Sequence, residues 1–295
     1  RIASRTNQRI IMLNKGSDDK GFMVCKDCGA AMPGDDISVL NDINRPYKSK
    51  YARSKCRHNN RFNVNLGYDF ITDMLVLEFT IDDKIIDARR NDNPWLNRAA
   101  QSLAEALRLV ASKKLDVEFT ELVTGYRLRT GSEASYVDIY LYDSLSSGAG
   151  YAVSVADAIA ELLTDMKDLL RSCDCGSACA NCLKHYRNPY VHGMLDRFAA
   201  LQLLEWGSDG ISASPINPEK QIKMIMPLVN ILKQSGCEII TDGEIMATRR
   251  KNTKKVVVYP AMWVEPCAAG TIFVSDAYIK YAKPYAVQKI LDNIQ

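Results

Sequence analysis

An α+β fold is what the sequence predicts: a mixed sheet with packed helices, followed by a small α/β C-terminal subdomain. Stretches of two-residue alternation rich in β-branched and aromatic residues interleave with stretches of helical periodicity. A segment over 207–218, containing Gly, Ser, Asp, Asn and two Pro, sets a last group of short strands and helices apart. Two close groups of cysteines mark places where irregular chain would be stapled. With 295 residues and 47% hydrophobic composition, the chain can bury a sizeable core in two or three compact units. The expected division is a basic N-terminal segment over 1–66, an α/β domain over 67–206, and a linker with C-terminal subdomain over 207–295.

Residues 8–13 read as a strand that starts almost at once. Arg1 rather than Met stands first, so the chain is expected to be a piece of something longer. Residues 68–80 are rich in branched and aromatic side chains and predict a long strand. Over 97–112 the spacing predicts a helix, with Leu103, Leu107 and Val110 on one stripe and Arg98, Glu105 and Arg108 off it. Strands are expected over 115–123 and 136–143, the second alternating Val137, Ile139 and Leu141 against Asp138, Tyr140 and Tyr142. One helix is expected over 151–171, with Val155, Ile159, Leu162, Leu163, Met166 and Leu170 inward, and another over 194–206. Beyond the linker come a helix over 220–234 kinked at Pro227, strands over 238–241, 244–249, 255–259 and 271–274, and a closing helix over 278–294 interrupted near Pro284.

Between the two central helices lie Cys173, Cys175, Cys179 and Cys182, four thiols within ten residues. Thiols this close can converge on one soft cation in a tetrahedron, and zinc is the expected metal, with iron the rival for a four-cysteine set. A second set, Cys25 and Cys28 with Cys56 and His58, offers three thiolates and an imidazole, which also complete a tetrahedron. Two zinc ions are therefore expected, both in closed shells. Zinc activates water when a coordination position stays open, so both sites read as structural. A disulfide framework is the competing reading, as in small secreted domains. It fits poorly with a core-forming chain that shows no secretory leader and carries Cys237 and Cys267 in apolar surroundings expected to bury free thiols. A reducing, cytoplasmic compartment is expected, and the apolar runs are too short to cross a membrane.

Charge is unevenly spread. Residues 1–66 hold 13 Lys and Arg against 6 Asp and Glu, residues 67–214 hold 14 against 22, and residues 215–295 hold 11 against 7. The basic excess is sharpest where Arg45, Lys48, Lys50, Arg53, Lys55, Arg57 and Arg61 follow one another without an acidic residue, with Tyr47 and Tyr51 interleaved. Cations for phosphates and rings for unpaired bases are the ingredients of sequence-tolerant nucleic-acid binding. A solvated basic loop that meets an acidic protein surface is the alternative.

Other candidates carry less chemistry. Asp69, Asp73, Asp138 and Asp143 lie on or beside predicted strands, and a pair of such carboxylates can hold a divalent metal for a nuclease. His185 and His192 follow the last cysteine and read first as packing at a helix entry. Gly148-Ala149-Gly150 opens a helix and could meet a phosphate, though close packing of strand end on helix start is the first reading. No Walker-type lysine motif occurs, so the chain alone is not expected to hydrolyse ATP.

Taken together, Leu141 to Tyr151 with its Gly-Ala-Gly element, the long helix, the cysteines at 173, 175, 179 and 182, and then Tyr186, Asn188, His192 and Leu195-Asp196-Arg197 resemble the MrfA-type zinc-binding (MZB) domain. That domain is found at the C-terminal end of superfamily 2 DEAD/DEAH-type helicases and in helicase-associated subunits of phage-defence systems such as DISARM. The resemblance extends over roughly 20–206, and Ser146-Ser147 departs from it where Pro-Gly or Gly-Gly is expected. It implies a non-motor part of a DNA-processing machine in repair or phage defence. Cys173, Cys175, Cys179 and Cys182 would be metal ligands, and the helicase motor domains would lie on the same polypeptide or a partner chain. DNA, single-stranded or at a junction, would be the expected nucleic acid. The alternatives are a metal-dependent nuclease using Asp73, Asp138 and Asp143, and a protein-docking subunit.

Overall fold

The computed structural model describes residues 1–34, 56, 58–88, 94–131 and 134–294. Its strands are β1 (Ile2–Asn14), β2 (Phe22–Cys25), β3 (Ala31–Pro33), β4 (Arg61–Val64), β5 (Leu66–Ile81), β6 (Leu122–Thr130), β7 (Ser135–Asp143), β8 (Glu238–Asp242), β9 (Glu244–Arg249), β10 (Asn252–Tyr259) and β11 (Thr271–Ser275). Its helices are α1 (Pro94–Leu115), α2 (Tyr151–Asp157), α3 (Ile159–Arg171), α4 (Arg197–Asp209), α5 (Pro218–Gln234), α6 (Asp276–Tyr281) and α7 (Lys283–Asn293). The fold is α+β, with three sheets among the described residues. Two compact units emerge, one of Arg1–Thr6 with Asp73–Gln295 and one of Asn7–Thr72.

In the larger unit the sheet runs β1-β5-β7-β6, with β7 antiparallel to both β5 and β6. Successive strand residues face opposite ways, so Leu75, Leu77, Phe79 and Ile81 of β5 line up with Val137, Ile139 and Leu141 of β7 on one buried face. Against that face pack Leu103 and Leu107 of α1, Leu162, Met166 and Leu170 of α3, and Leu203 and Leu204 of α4. At Gly207 of α4 an added Cβ would run into the Phe79 ring, which requires glycine where helix and strand come this close. A second sheet in the same unit has the order β11-β10-β9-β8, with β10 and β11 parallel. Its own core of Ile225, Leu228, Val256, Val258, Ile272 and Ile290 is covered by α5 and α7. Ala261, Met262 and Ala277 join the main core, and Asp87 N–H donates to the Met262 carbonyl at 3.0 Å.

The smaller unit is built on a three-stranded antiparallel sheet of order β3-β2-β4. Met23, Cys25, Cys28, Ala30 and Cys56 form its core. Arg9 pairs with Asp69 at 2.7 Å on the ends of β1 and β5 that belong to it.

Several expectations need correction. The strand expected over 115–123 lies later, at β6, because Val117 N–H turns back to the Ser112 carbonyl and Phe119 is drawn inside by a 3-10 turn. The helix expected over 151–171 is two helices meeting at Ala158, whose φ of −97° and ψ of 13° leave the helical range. The helix expected over 194–206 starts at Arg197, because Asp196 caps it by accepting from Phe198 and Ala199 N–H. Glu105 and Arg108 were expected off the buried stripe of α1 and are both buried. Arg108 donates to the Phe119 carbonyl at 3.0 Å, while Glu105 accepts from Asn188 at 2.8 Å. Cys237 is buried as expected, but Cys267 is exposed, because it lies in the irregular chain between β10 and β11.

The turn after β7 explains itself through Asp143. Its fully buried carboxylate accepts from the N–H groups of Ala149 at 2.7 Å, Tyr151 at 3.1 Å and Ala152 at 2.8 Å. The protein thus supplies its own anion to the start of α2. Gly148 and Gly150 take positive φ, and a Cβ on Gly148 would meet the Asp73 carboxylate at 2.6 Å. Ser147 makes the same left-handed turn at φ 78° without being glycine.

Candidate metal centres

Helix α3 ends at Arg171 and α4 begins at Arg197, and the chain between them folds back so that four sulfurs meet. Cys173 Sγ lies 3.5 Å from Cys179 Sγ, Cys175 Sγ 3.7 Å from Cys182 Sγ, and Cys179 Sγ 3.9 Å from Cys182 Sγ. All four donor atoms lie within 4.8 Å of one another. Zn–S bonds of about 2.3 Å in a tetrahedron put sulfurs about 3.8 Å apart, so the spacing fits a zinc ion. The tight turn comes from Cys182 N–H and Lys184 N–H both donating to the Cys179 carbonyl, at 3.1 and 3.0 Å. Cys179 N–H points at Cys182 Sγ at 3.2 Å, the kind of donor that steadies a thiolate.

The carbonyls of this loop are held from two sides. Arg197 donates through Nε to Cys175 at 3.1 Å, through Nη1 to Leu170 at 2.8 Å, and through its backbone N–H to Ser177 at 2.8 Å. Lys280 of α6 donates to the Gly176 carbonyl at 2.9 Å and to Asp196 at 3.0 Å. Tyr281 also donates to Asp196. Burial raises the Cys182 thiol to about 12 despite the nearby Cys179 N–H, so a metal entering here displaces its proton.

In the smaller unit, Cys25 ends β2 and Cys28 sits in the turn before β3, with Gly29 N–H donating to the Cys25 carbonyl and Cys25 N–H to Ala30, both at 2.9 Å. Strand β4 pairs Arg61 with Cys25, which brings the residues just before it alongside. His58 Nδ1 lies 3.5 Å from Cys25 Sγ and 3.9 Å from Cys56 Sγ, and the four donor atoms of Cys25, Cys28, Cys56 and His58 lie within 4.8 Å. Nδ1 is the nitrogen facing the sulfurs. Burial opposes ionisation of Cys25, but N–H groups of Cys28 and Asp27 outweigh it and bring the thiol to about 7, whereas burial keeps Cys28 above the ordinary thiol range.

Among the described residues, these two sets are the groups of three or more Cys, His, Asp or Glu whose donor atoms converge. Asp73, Asp138 and Asp143 do not converge. Asp143 serves the α2 start, Asp69 pairs with Arg9, and Asp138 accepts from Arg127 at 2.8 Å and Arg129 at 2.7 Å. Burial favours the neutral form of Asp138, yet those two guanidiniums hold its carboxyl below the ordinary range. A group depressed in this way contributes fully above its unfolded pKa of about 3.9, and the contribution fades as pH falls through the lower folded value. Asp138→Asn is therefore expected to cost about 2 kcal/mol at pH 7 and progressively less in acid. Urea midpoints at both pH values measure this; an equal loss at each would contradict it.

His185 and His192 serve packing. The His185 ring stacks on Phe119 with centroids 4.4 Å apart, and His192 Nε2 lies 2.9 Å from Asn188 Oδ1. Asn188, which the sequence marked only as part of the family resemblance, is fully buried, accepts from His185 N–H and donates to Glu105 and the Leu183 carbonyl. Of the basic run, Arg45, Tyr47, Lys48, Lys50, Tyr51, Arg53, Lys55 and Arg57 lie outside the described residues, and Arg61 stands at the start of β4. No helix among the described residues is long and apolar enough to cross a membrane.

Residues 103–183 match the family model of the MrfA Zn-binding domain, MZB, and that span contains all four cysteines of the first set. Over 250 residues the chain is 32% identical to Druantia protein DruE of Escherichia coli (strain UMEA 4076-1), an alignment covering 80% of this chain and 14% of that protein. The crystal structure of the DUF1998 helicase MrfA bound to DNA aligns at 14% identity with a TM-score of 0.40, covering 69% of this chain and 25% of that one. The same helicase bound to DNA and AMPPNP aligns at 15% identity with a TM-score of 0.31, covering 49% and 17%.

Proposed function

We propose that this chain, which carries an MZB domain over residues 103–183, is a zinc-stapled, non-motor part of a DEAD/DEAH-type helicase or of a helicase-associated subunit. Two zinc ions hold it, one on Cys173, Cys175, Cys179 and Cys182 and one on Cys25, Cys28, Cys56 and His58. The observation that carries this reading is the convergence of two complete donor sets within 4.8 Å. Thiolate-rich closed shells keep water from the metal and bind chain segments together. The motor domains belong elsewhere on the same polypeptide or on a partner, since no ATP-binding lysine motif occurs here.

DNA is contacted chiefly through phosphates by the run Arg45 to Arg61, which His58 and Cys56 anchor at its C-terminal end. Elemental analysis of the purified chain is expected to find two zincs per molecule. Single-stranded DNA affinity, titrated against salt, is expected to fall with a log–log slope of roughly −3 to −5 for seven cations on a single strand. One zinc would remove the second site, and absence of binding at low ionic strength would overturn the DNA assignment.

A further inference from the structure

The loop between the first cysteine set and α4 presents a second aromatic and cationic surface, remote in sequence from the basic run. Tyr186 is 71% exposed and Tyr190 76% exposed, far more than the solvent contact that buried or half-buried tyrosines keep. Both stand on a rigid support. Asn188, fully buried between them, ties the Leu183 carbonyl, His185 N–H and His192 to Glu105 of α1. Arg98 of α1 donates to the Gly193 carbonyl at 2.7 Å and closes the far end.

Tyr186 also ends a stack of planar groups that starts inside the protein. The Arg108 guanidinium lies 3.8 Å from the Phe119 ring, Phe119 stacks on His185 at 4.4 Å, and His185 meets Tyr186 at 4.4 Å. Stacks of this kind hold an exposed ring in one orientation at little further entropic cost. Arg187 lies 4.9 Å from the Tyr186 ring, and Lys184 precedes it. No acidic residue occurs from Leu183 to Leu195. Fixed rings beside cations suit a chain of stacked bases and phosphates.

We propose that the Lys184–Tyr190 loop is a stacking platform for single-stranded nucleic acid, with Tyr186 and Tyr190 receiving bases and Lys184 and Arg187 facing phosphates. This rests on the reading above that the chain handles DNA, but it names a different surface from the basic run. The test is fluorescence anisotropy of the full chain with a labelled mixed-sequence single-stranded oligonucleotide, comparing wild type with Tyr186→Ala, Tyr190→Ala, Tyr186→Phe and Arg187→Ala. Each tyrosine-to-alanine change is expected to weaken binding about 5- to 150-fold, while Tyr186→Phe keeps the stacking ring and stays near wild type. Arg187→Ala is expected to reduce the magnitude of the salt slope by about 0.7. If wild type binds and both alanine variants bind equally well, the platform is overturned and the basic run stands alone. If wild type does not bind at low salt, the platform and the DNA reading fall together. Zinc content and far-UV circular dichroism matching wild type show that each variant is folded, so a loss of affinity is a loss of contact.

Discussion

Cys182→Ser is expected to release one zinc per molecule and to lower the melting temperature by on the order of 10 °C. Cys182 is the most buried of its set and closes the turn that brings Cys179 back toward Cys175. Without the metal, the segment from Ser172 to Asp196 has no regular element longer than a 3-10 turn, and its cysteine-bearing half is left to the carbonyl bonds from Arg197 and Lys280, while the Asn188 network holds the other half. Elemental analysis and thermal melting on the same sample check the result, with Cys267→Ser, at an exposed thiol, as the control expected to change neither. Full zinc content and an unshifted melt in Cys182→Ser would show that this sulfur is no ligand.

Asp196→Ala is expected to cost about 3–5 kcal/mol, because the buried carboxylate serves four donors at once. It caps α4 through Phe198 and Ala199 N–H and receives Lys280 and Tyr281 from α6. Truncation leaves a lysine without its partner and a helix start without its cap, while the Arg98 guanidinium still covers the Tyr281 ring at 3.6 Å. Since Lys280 also holds the Gly176 carbonyl, the loss should spread to the cysteine loop. Hydrogen exchange is expected to rise both over 174–199 and over 276–282, together with a lower denaturant midpoint. A rise confined to the first turn of α4 would mean that Asp196 is a cap and no more.

Much of this arrangement could be read in the chain because its signals are local. Val137, Ile139 and Leu141 alternate into the core as their spacing predicts, and the cysteines at 173, 175, 179 and 182 are close enough in sequence that little else could bring them together. What escaped depends on partners far along the chain. Glu105 looked like a solvent-facing residue because its partner, Asn188, is 83 positions away. Asp138 looked available for a metal because the strand register that sets Arg127 opposite it is not written in either strand alone. The 115–123 run is apolar enough for a strand, yet burial of Phe119 competes with strand propensity there and moves β6 seven residues on. The break at Ala158 has no Gly or Pro to announce it.

The exposure of Cys267 makes the thiols of this protein a reporter of its own integrity. Reaction with an electrophile needs access and thiolate character, and Cys237 has little of either, being fully buried with its thiol pushed up by burial. Metal-bound sulfurs are masked in the same test. A dye that alkylates one sulfur per molecule therefore marks a sample whose larger unit is loaded. Losing metal from the larger unit unmasks the partly exposed Cys173, Cys175 and Cys179, whereas Cys25, Cys28 and Cys56 of the smaller unit stay buried unless their loop opens. A labelling ratio read in a spectrophotometer reports the first of these losses.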